Sequence, residues 1–159
     1  MNEHHSLKTA YTFFVGLLLA IFVGVGVQAF YSAPKFPDYP TYGYTEQPTA
    51  EEKKAQEEFD KKIKEHDEKS KPYSRNVSLI TMGAAIVFLS IGVVFDKKLK
   101  IIANGFMIGG ILTLIYSIGR SFAADNYTYT FGAVSAGLVI ALAIGYWQFL
   151  RPKPTTKKK

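Results

Sequence analysis

Three groups of residues in this 159-residue chain could do chemistry. The carboxylates Glu57, Glu58, Asp60, Glu65, Asp67 and Glu68 are numerous, but lysines are interleaved with them. General acid or base work needs a carboxyl desolvated or coupled enough to shift its pKa, and a solvated charged stretch supplies neither condition. The histidines His4, His5 and His66 lie in a tail and in that same charged stretch, without the ligand spacing of a metal site. The third group is neutral: Asn104, Thr113, Ser117 and Ser135 sit inside apolar runs, where such groups either hydrogen-bond between helices or line a narrow polar path. The chain has no cysteine, which removes disulfides, thiolate ligands and thiol nucleophiles together. No phosphate-binding glycine loop, zinc motif or nucleophile elbow stands in a plausible context. The expectation is a non-enzymatic chain with no catalytic centre, no cofactor and no metal, and with no nucleic-acid partner.

The elements that carry these residues follow from charge. Lys and Arg number 19 against 13 Asp and Glu, yet Thr9–Pro34, Asn76–Phe95, Ile101–Gly119 and Asn126–Leu150 contain no charge at all. Crossing the ~30 Å hydrocarbon core takes roughly 20 apolar residues, and each window meets or nearly meets that length. The fold class expected is all-α: an integral membrane antiparallel four-helix bundle with an extracytoplasmic loop helix. The chain divides into a cytoplasmic tail (1–8), a transmembrane helix (9–31), an extracytoplasmic segment (32–74), three transmembrane helices (75–150, with spans near 75–95, 98–120 and 127–150) and a basic cytoplasmic tail (151–159).

Four spans put both termini on one side, and Lys/Arg bias selects the side. The terminal side carries nine basic residues and the other ten, but eleven acids accompany the ten, and most of them spread along one long loop. Basic residues beside short connections govern threading more than those in long loops, so both termini are read as cytoplasmic, in a bacterial plasma membrane. The apolar stretch from Tyr11 to Val27 exceeds a usual signal-peptide core, which favours an uncleaved anchor.

The long loop has two halves. Ser32 to Pro48 holds four prolines and three tyrosines and reads as extended chain on the bundle top. From 50 to 69 the sequence reads as a charged helix, opened by a capping box of Thr49 and Glu52 and supported by acid-first i,i+4 pairs such as Glu57 with Lys61. Ala55, Phe59 and Ile63 form a single apolar row on it, which suits a partner surface. Pro72 is expected to end the helix before the second span.

Within the spans, small residues recur at intervals of four: Gly16, Ala20 and Gly24; Gly105 and Gly109; Ala133, Gly137, Ala141 and Gly145. Such stripes let helix backbones approach closely in lipid, where burying apolar surface gains little. Asp96 is placed to cap the third span, and Arg120 with Asp125 to form a local ion pair in the hairpin between spans three and four.

The run FVGVGVQAFYSAPKFP at Phe22–Pro37, followed by a charged loop and three further spans, resembles uncharacterised small four-span membrane proteins of bacteria. That resemblance implies a layout and carries over no functional residue. The functional expectation is a structural or interaction subunit of the cell envelope, with the lipid bilayer, an envelope protein or a second copy as partner. A small channel or transporter component is the alternative, with Asn104, Thr113, Ser117 and Ser135 as its polar lining, and a lipid-acting enzyme ranks third. Single cysteines Ala55→Cys and Thr155→Cys test the threading. A membrane-impermeant maleimide should label position 55 in intact cells and position 155 only after permeabilisation, and equal labelling of both from outside refutes the orientation.

Overall fold

A computed structural model describes residues 3–39 and 49–147, with side chains from residue 6 onward. The expectations for the basic tail from Arg151, for Tyr42 and Tyr44, and for the His4 and His5 side chains lie outside these described parts. Four helices account for the regular structure: α1 (Glu3–Phe30), α2 (Ala50–Phe95), α3 (Lys100–Phe122) and α4 (Tyr127–Gly145), and no strand occurs among the described residues. All four are long and apolar enough to cross a membrane. Their exposed surface agrees with an apolar solvent: Phe22 of α1 is 72% exposed and Phe131 of α4 is 75% exposed, each amid further exposed Leu, Val and Ile. Contiguous apolar surface of this extent is not left facing water in a monomer.

α2 departs from expectation. It runs unbroken for 46 residues with Pro72 inside it, so the charged helix and the second span are one element. At 1.5 Å per residue it is roughly 69 Å long, more than twice the hydrocarbon core. Pro72 has no N–H for the Glu68 carbonyl, and an interior proline costs a helix about 3 kcal/mol. Tertiary contacts on both sides of it outweigh that local signal. Tyr73, Ser74, Val77 and Ser78 are buried in the bundle just after it, and residues 34–39 pack against the helix just before it. The N-terminus forms as the spacing predicts: the Glu52 N–H donates to Thr49 Oγ1 at 3.3 Å, and the Thr49 N–H donates to Glu52 Oε2 at 2.6 Å.

α3 is the centre and packs on each of the other three helices. Two rows of small residues on different faces make this possible. Toward α1, a Cβ added to Gly109 would lie 2.9 Å from Leu19 Cβ and 3.1 Å from the Gly16 carbonyl oxygen, and one added to Gly16 would lie 2.6 Å from Ile108 Cγ2. Toward α2, a Cβ on Gly110 would meet the Leu89 backbone nitrogen at 3.1 Å, and one on Gly92 would meet the Ala103 carbonyl oxygen at 3.0 Å. Because Gly92 faces Ala103 while Ser78 faces Ser117, α2 and α3 run in opposite directions. Gly105 faces Val15 and Gly109 faces Leu19, so α1 and α3 run the same way.

The expected stripes are used unevenly. Gly16, Gly105 and Gly109 sit at helix crossings and Ala20 is half-buried, but a Cβ at Gly24 would meet no heavy atom within 4 Å. On α4, Ala133 is buried and Gly137 faces Ile118, whereas Ala141 is exposed and Gly145 is open. The first half of α4 therefore packs on α3 and its second half does not. Asp96 is also placed differently: it is the C-cap of α2, and the N-cap of α3 is Leu99, with no side-chain cap bond. The turn is closed instead by the Lys98 and Leu99 N–H groups, both donating to the Phe95 carbonyl.

Overpacking a tight crossing costs about 1–3 kcal/mol. Gly109→Leu should accordingly lower thermal stability in detergent by about 2 kcal/mol. Gly119→Leu, at a position open to 4 Å on the same helix, should change it by less than about 0.5 kcal/mol. Equal destabilisation by the two substitutions refutes α3 as the close-packed centre.

Candidate functional site

The polar and aromatic residues converge at one end of the bundle, where α1 ends, α2 emerges, and α3 turns into α4. Tyr31, just past α1, stacks on Tyr73 of α2 with ring centroids 5.1 Å apart and planes 10° apart. Its hydroxyl oxygen accepts from Asn76 Nδ2 at 2.9 Å. Arg120, in the last turn of α3, places its guanidinium carbon 5.3 Å from the Tyr73 ring centroid, so cation, ring and ring form one stack across three helices. α4 joins through its own first turn. Asn126 caps it by accepting from the Tyr129 N–H at 3.0 Å, the Tyr129 hydroxyl donates to the Arg75 carbonyl at 3.1 Å, and Thr130 Oγ1 donates to the Ser121 carbonyl at 2.9 Å.

The expected Arg120–Asp125 ion pair does not form. Asp125, in the left-handed region at φ 50°, instead reaches Lys71 of α2, with Nζ and Oδ2 2.7 Å apart. The Lys71 hydrogen bond and positive charge hold the Asp125 carboxyl below the usual carboxylate range, and the Asp125 hydrogen bond and charge raise Lys71 in turn. A lowered carboxyl contributes stability that is lost only as pH falls through its folded value, and a raised amine contributes stability lost only as pH rises through its own. The pair thus stays intact across neutral pH. Both groups are solvent-exposed, so the bridge fixes geometry more than it stabilises.

Beyond this clasp, residues 32–39 run up the face of α2. The Pro34 carbonyl lies 3.3 Å from His66 Nε2, Phe36 packs edge-on to the His66 ring, and Tyr39 packs against Phe59. From Tyr73 to Phe59 is 14 helical residues, about 21 Å; from Tyr31 to Tyr39 is eight residues, about 25 Å in a polyproline conformation. The two lengths match, and proline-rich chain is stiff enough to keep the match. Strap and stalk enclose an open cleft of about 290 Å³ lined by Pro34, Lys35, Pro37, Lys62, Glu65, His66 and Lys69. His66 is held there by Pro34, by Ser70 Oγ at 3.4 Å from its ring nitrogens, and by Asp67 at 3.6 Å. No cluster of three or more metal-ligating side chains occurs among the described residues.

The residues singled out from sequence divide three ways. Ala55, Phe59 and Ile63 are half-buried rather than bare, and Tyr39 of the strap packs on Phe59. Thr113 and Ser117 are buried, and their hydroxyls are taken up by carbonyls: Thr113 Oγ1 donates to its own Gly109 carbonyl at 2.7 Å, and Ser117 Oγ donates to the Ser78 carbonyl at 2.7 Å. Asn104 is half-buried near the opposite end of α3, and Ser135 is half-buried on α4. The four are not brought together.

Ser78 is a functional residue that the sequence analysis did not single out. Its hydroxyl donates back to the Ser117 carbonyl at 2.9 Å, so the two serines exchange hydroxyl–carbonyl bonds across the α2–α3 crossing. The signal was available: Ser74, Ser78 and Thr81 fall on one face of α2, opposite the row Gly109, Thr113, Ser117 and Ser121. Comparison with protein-family models, with curated proteins and with solved structures finds no match.

Interhelical hydrogen bonds in membranes average about 0.6 kcal/mol and reach about 1.7. Each hydroxyl donates to a backbone carbonyl that alanine would keep, so Ser78→Ala and Ser117→Ala should each lower stability in detergent micelles by about 0.6–1.7 kcal/mol, nearly additively in the double variant. No loss from either substitution refutes the reciprocal pair.

Proposed function

We propose that the chain is a non-enzymatic subunit of the cell envelope: an antiparallel bundle of four spans, both termini cytoplasmic, that raises α2 and its strap from the bilayer as an interaction surface. The observation that carries this reading is the continuity of α2 through Pro72. A helix shared between bundle and stalk, braced on one face by residues 31–39, fixes the stalk's direction relative to the membrane, which a free loop helix could not do. An isolated charged helix of about 20 residues is marginal in water, so the strap also supplies packing that the stalk needs to persist.

The surface on offer combines the half-buried row of Ala55, Phe59 and Ile63 with charged residues of both signs around it. A partner helix or extended segment that extends the cover begun by Tyr39 suits such a face. A channel or transporter component is less well supported, because the buried hydroxyls of Thr113 and Ser117 are spent on protein carbonyls and Asn104 and Ser135 lie apart from them. For a lipid-acting enzyme the Ser70 hydroxyl does lie beside the His66 ring, but at 3.4 Å from both ring nitrogens it makes no aligned nucleophile–base bond to either, and the pair stands on the charged stalk. Self-association through the span stripe is narrowed to the far half of α4, since Ala133 and Gly137 already serve α3.

A photo-crosslinking amino acid at exposed Glu58 or Lys61 tests the proposal in intact cells. Each position should give a discrete protein adduct that disappears in the Phe59→Glu, Ile63→Glu double variant, while a crosslinker at Ile115 should give none. No protein adduct from either stalk position overturns the proposal.

A further inference from the structure

Arg120 is a cation whose needs the described residues meet on one side only. The Tyr73 ring covers a face of its guanidinium, and its Nε is sealed from solvent with no acceptor among the described residues. The carboxylate nearest in sequence, Asp125, is committed to Lys71 at 2.7 Å. Among the described residues no ion pair to Arg120 forms. A guanidinium presents a planar fork, and with Nε enclosed the two Nη nitrogens are left as the edge that an outside acceptor can take, bidentately if its oxygens are spaced like those of a phosphate.

The position of Arg120 along α3 says which acceptor that is. The uncharged run Ile101–Gly119 rises about 28 Å, nearly the whole hydrocarbon thickness, so the next residue stands where the acyl chains give way to headgroups. Tyr31, Tyr73, Tyr127 and Tyr129 mark the same level, as interfacial tyrosines do. Phosphate is the anion present at that depth in every phospholipid bilayer, and in an anionic phospholipid, unlike phosphatidylcholine, a headgroup ammonium does not cancel its charge. The stack on Tyr73, itself stacked on Tyr31, holds the fork in one plane, so ordering the side chain costs a ligand little.

We infer that Arg120, held on the Tyr73–Tyr31 stack, is a binding site for a phosphate group, supplied by the headgroup of an anionic phospholipid. The inference rests on the placement of α3 across a bilayer but not on any protein partner, so it can fail while the interaction role stands. The site ties one lipid to the point where α1, α2 and α3 meet. Arg75 provides the comparison: by the Ser78–Ser117 register it lies at the same level of α2, and it is exposed without such a stack.

The test uses the full chain in nanodiscs of phosphatidylcholine containing a minor fraction of phosphatidylglycerol, with native mass spectrometry of lipid retained after release. Wild type should keep phosphatidylglycerol, Arg120→Gln should lower the retained fraction about tenfold, and Arg75→Gln by no more than about twofold. Arg120→Lys, which keeps charge and loses the fork, should fall between them. Displacement of the lipid by millimolar inorganic phosphate supports the phosphate site and assigns its source to free phosphate. Persistence of the lipid assigns the source to the headgroup. Equal retention by the Arg120 and Arg75 variants overturns the inference. Should Arg120→Gln not fold, a headgroup-diazirine phosphatidylglycerol on wild type decides the matter: crosslinks confined to the end of α3 and the Tyr31 and Tyr73 peptides support it, and crosslinks spread evenly over the chain overturn it.

Discussion

The structure depends on how closely α3 lets its neighbours approach. In lipid, moving an apolar side chain from acyl chains to a helix interface gains little, so association relies on dispersion between backbones and on hydrogen bonds that few side chains can reach. α3 meets both needs with small residues on two faces, Gly105 and Gly109 toward α1 and Ala103, Gly110 and Ser117 toward α2. The buried set follows from this. Apart from Leu89 and Val77, the largest fully buried side chains are Thr81, Thr113, Ser78, Ser117 and Ser121, each short enough to keep backbones close and each bonding a carbonyl. The bulky residues are displaced to the outside, where Phe22, Phe131 and Leu142 lie exposed.

Where the bilayer ends, the rules of water return within the same helix. Up to Tyr73 from its C-terminal end, α2 is held by small-residue packing; beyond Pro72 it is held by a capping box and by aromatic contacts with the strap. Pro72 lies at that junction. The Glu68 carbonyl it orphans is on the water side, where solvent can satisfy it, whereas the same loss a few turns into the span would have no such remedy. A proline in this position bends or loosens the helix locally without ending it, because both neighbouring regions are fixed by other contacts.

The four spans were legible because absence of charge over 19 or more residues has one common physical cause, and the Thr49–Glu52 cap because its two bonds are local. Two of the errors gave a local signal precedence over a tertiary one: Pro72 was read as a stop and Arg120 as the partner of an acid five residues on, whereas the deciding neighbours are distant in sequence, Pro34 and Phe36 beside His66, Tyr73 under Arg120 and Lys71 on Asp125. Asp96, expected to cap the following helix, differs through a local contact, the adjacent Phe95 carbonyl that closes the turn. The row Ala55, Phe59 and Ile63 was visible as an apolar face, but its partial cover by Tyr39 depends on two lengths of chain matching, which periodicity does not report.

These contacts also grade the molecule from one end to the other. At the end bearing the strap, all four helices are joined side to side: Tyr31 to Tyr73 and Asn76, Arg120 to Tyr73, Tyr129 to the Arg75 carbonyl, Thr130 to the Ser121 carbonyl. Toward the other end α1, α2 and α3 remain close at Gly16, Gly92 and Gly105, but α4 has left them, with Ala141 exposed and Gly145 meeting nothing. A helix held by one half and free in the other stores little resistance to lateral movement, since no hydrophobic penalty opposes its separation in lipid. The rigid end is the one that carries the stalk, so motion of the far half of α4 need not tilt α2. The charged half of α2 thus extends from the clasped end, while the exposed Ala141 and the open Gly145 of α4 lie toward the other.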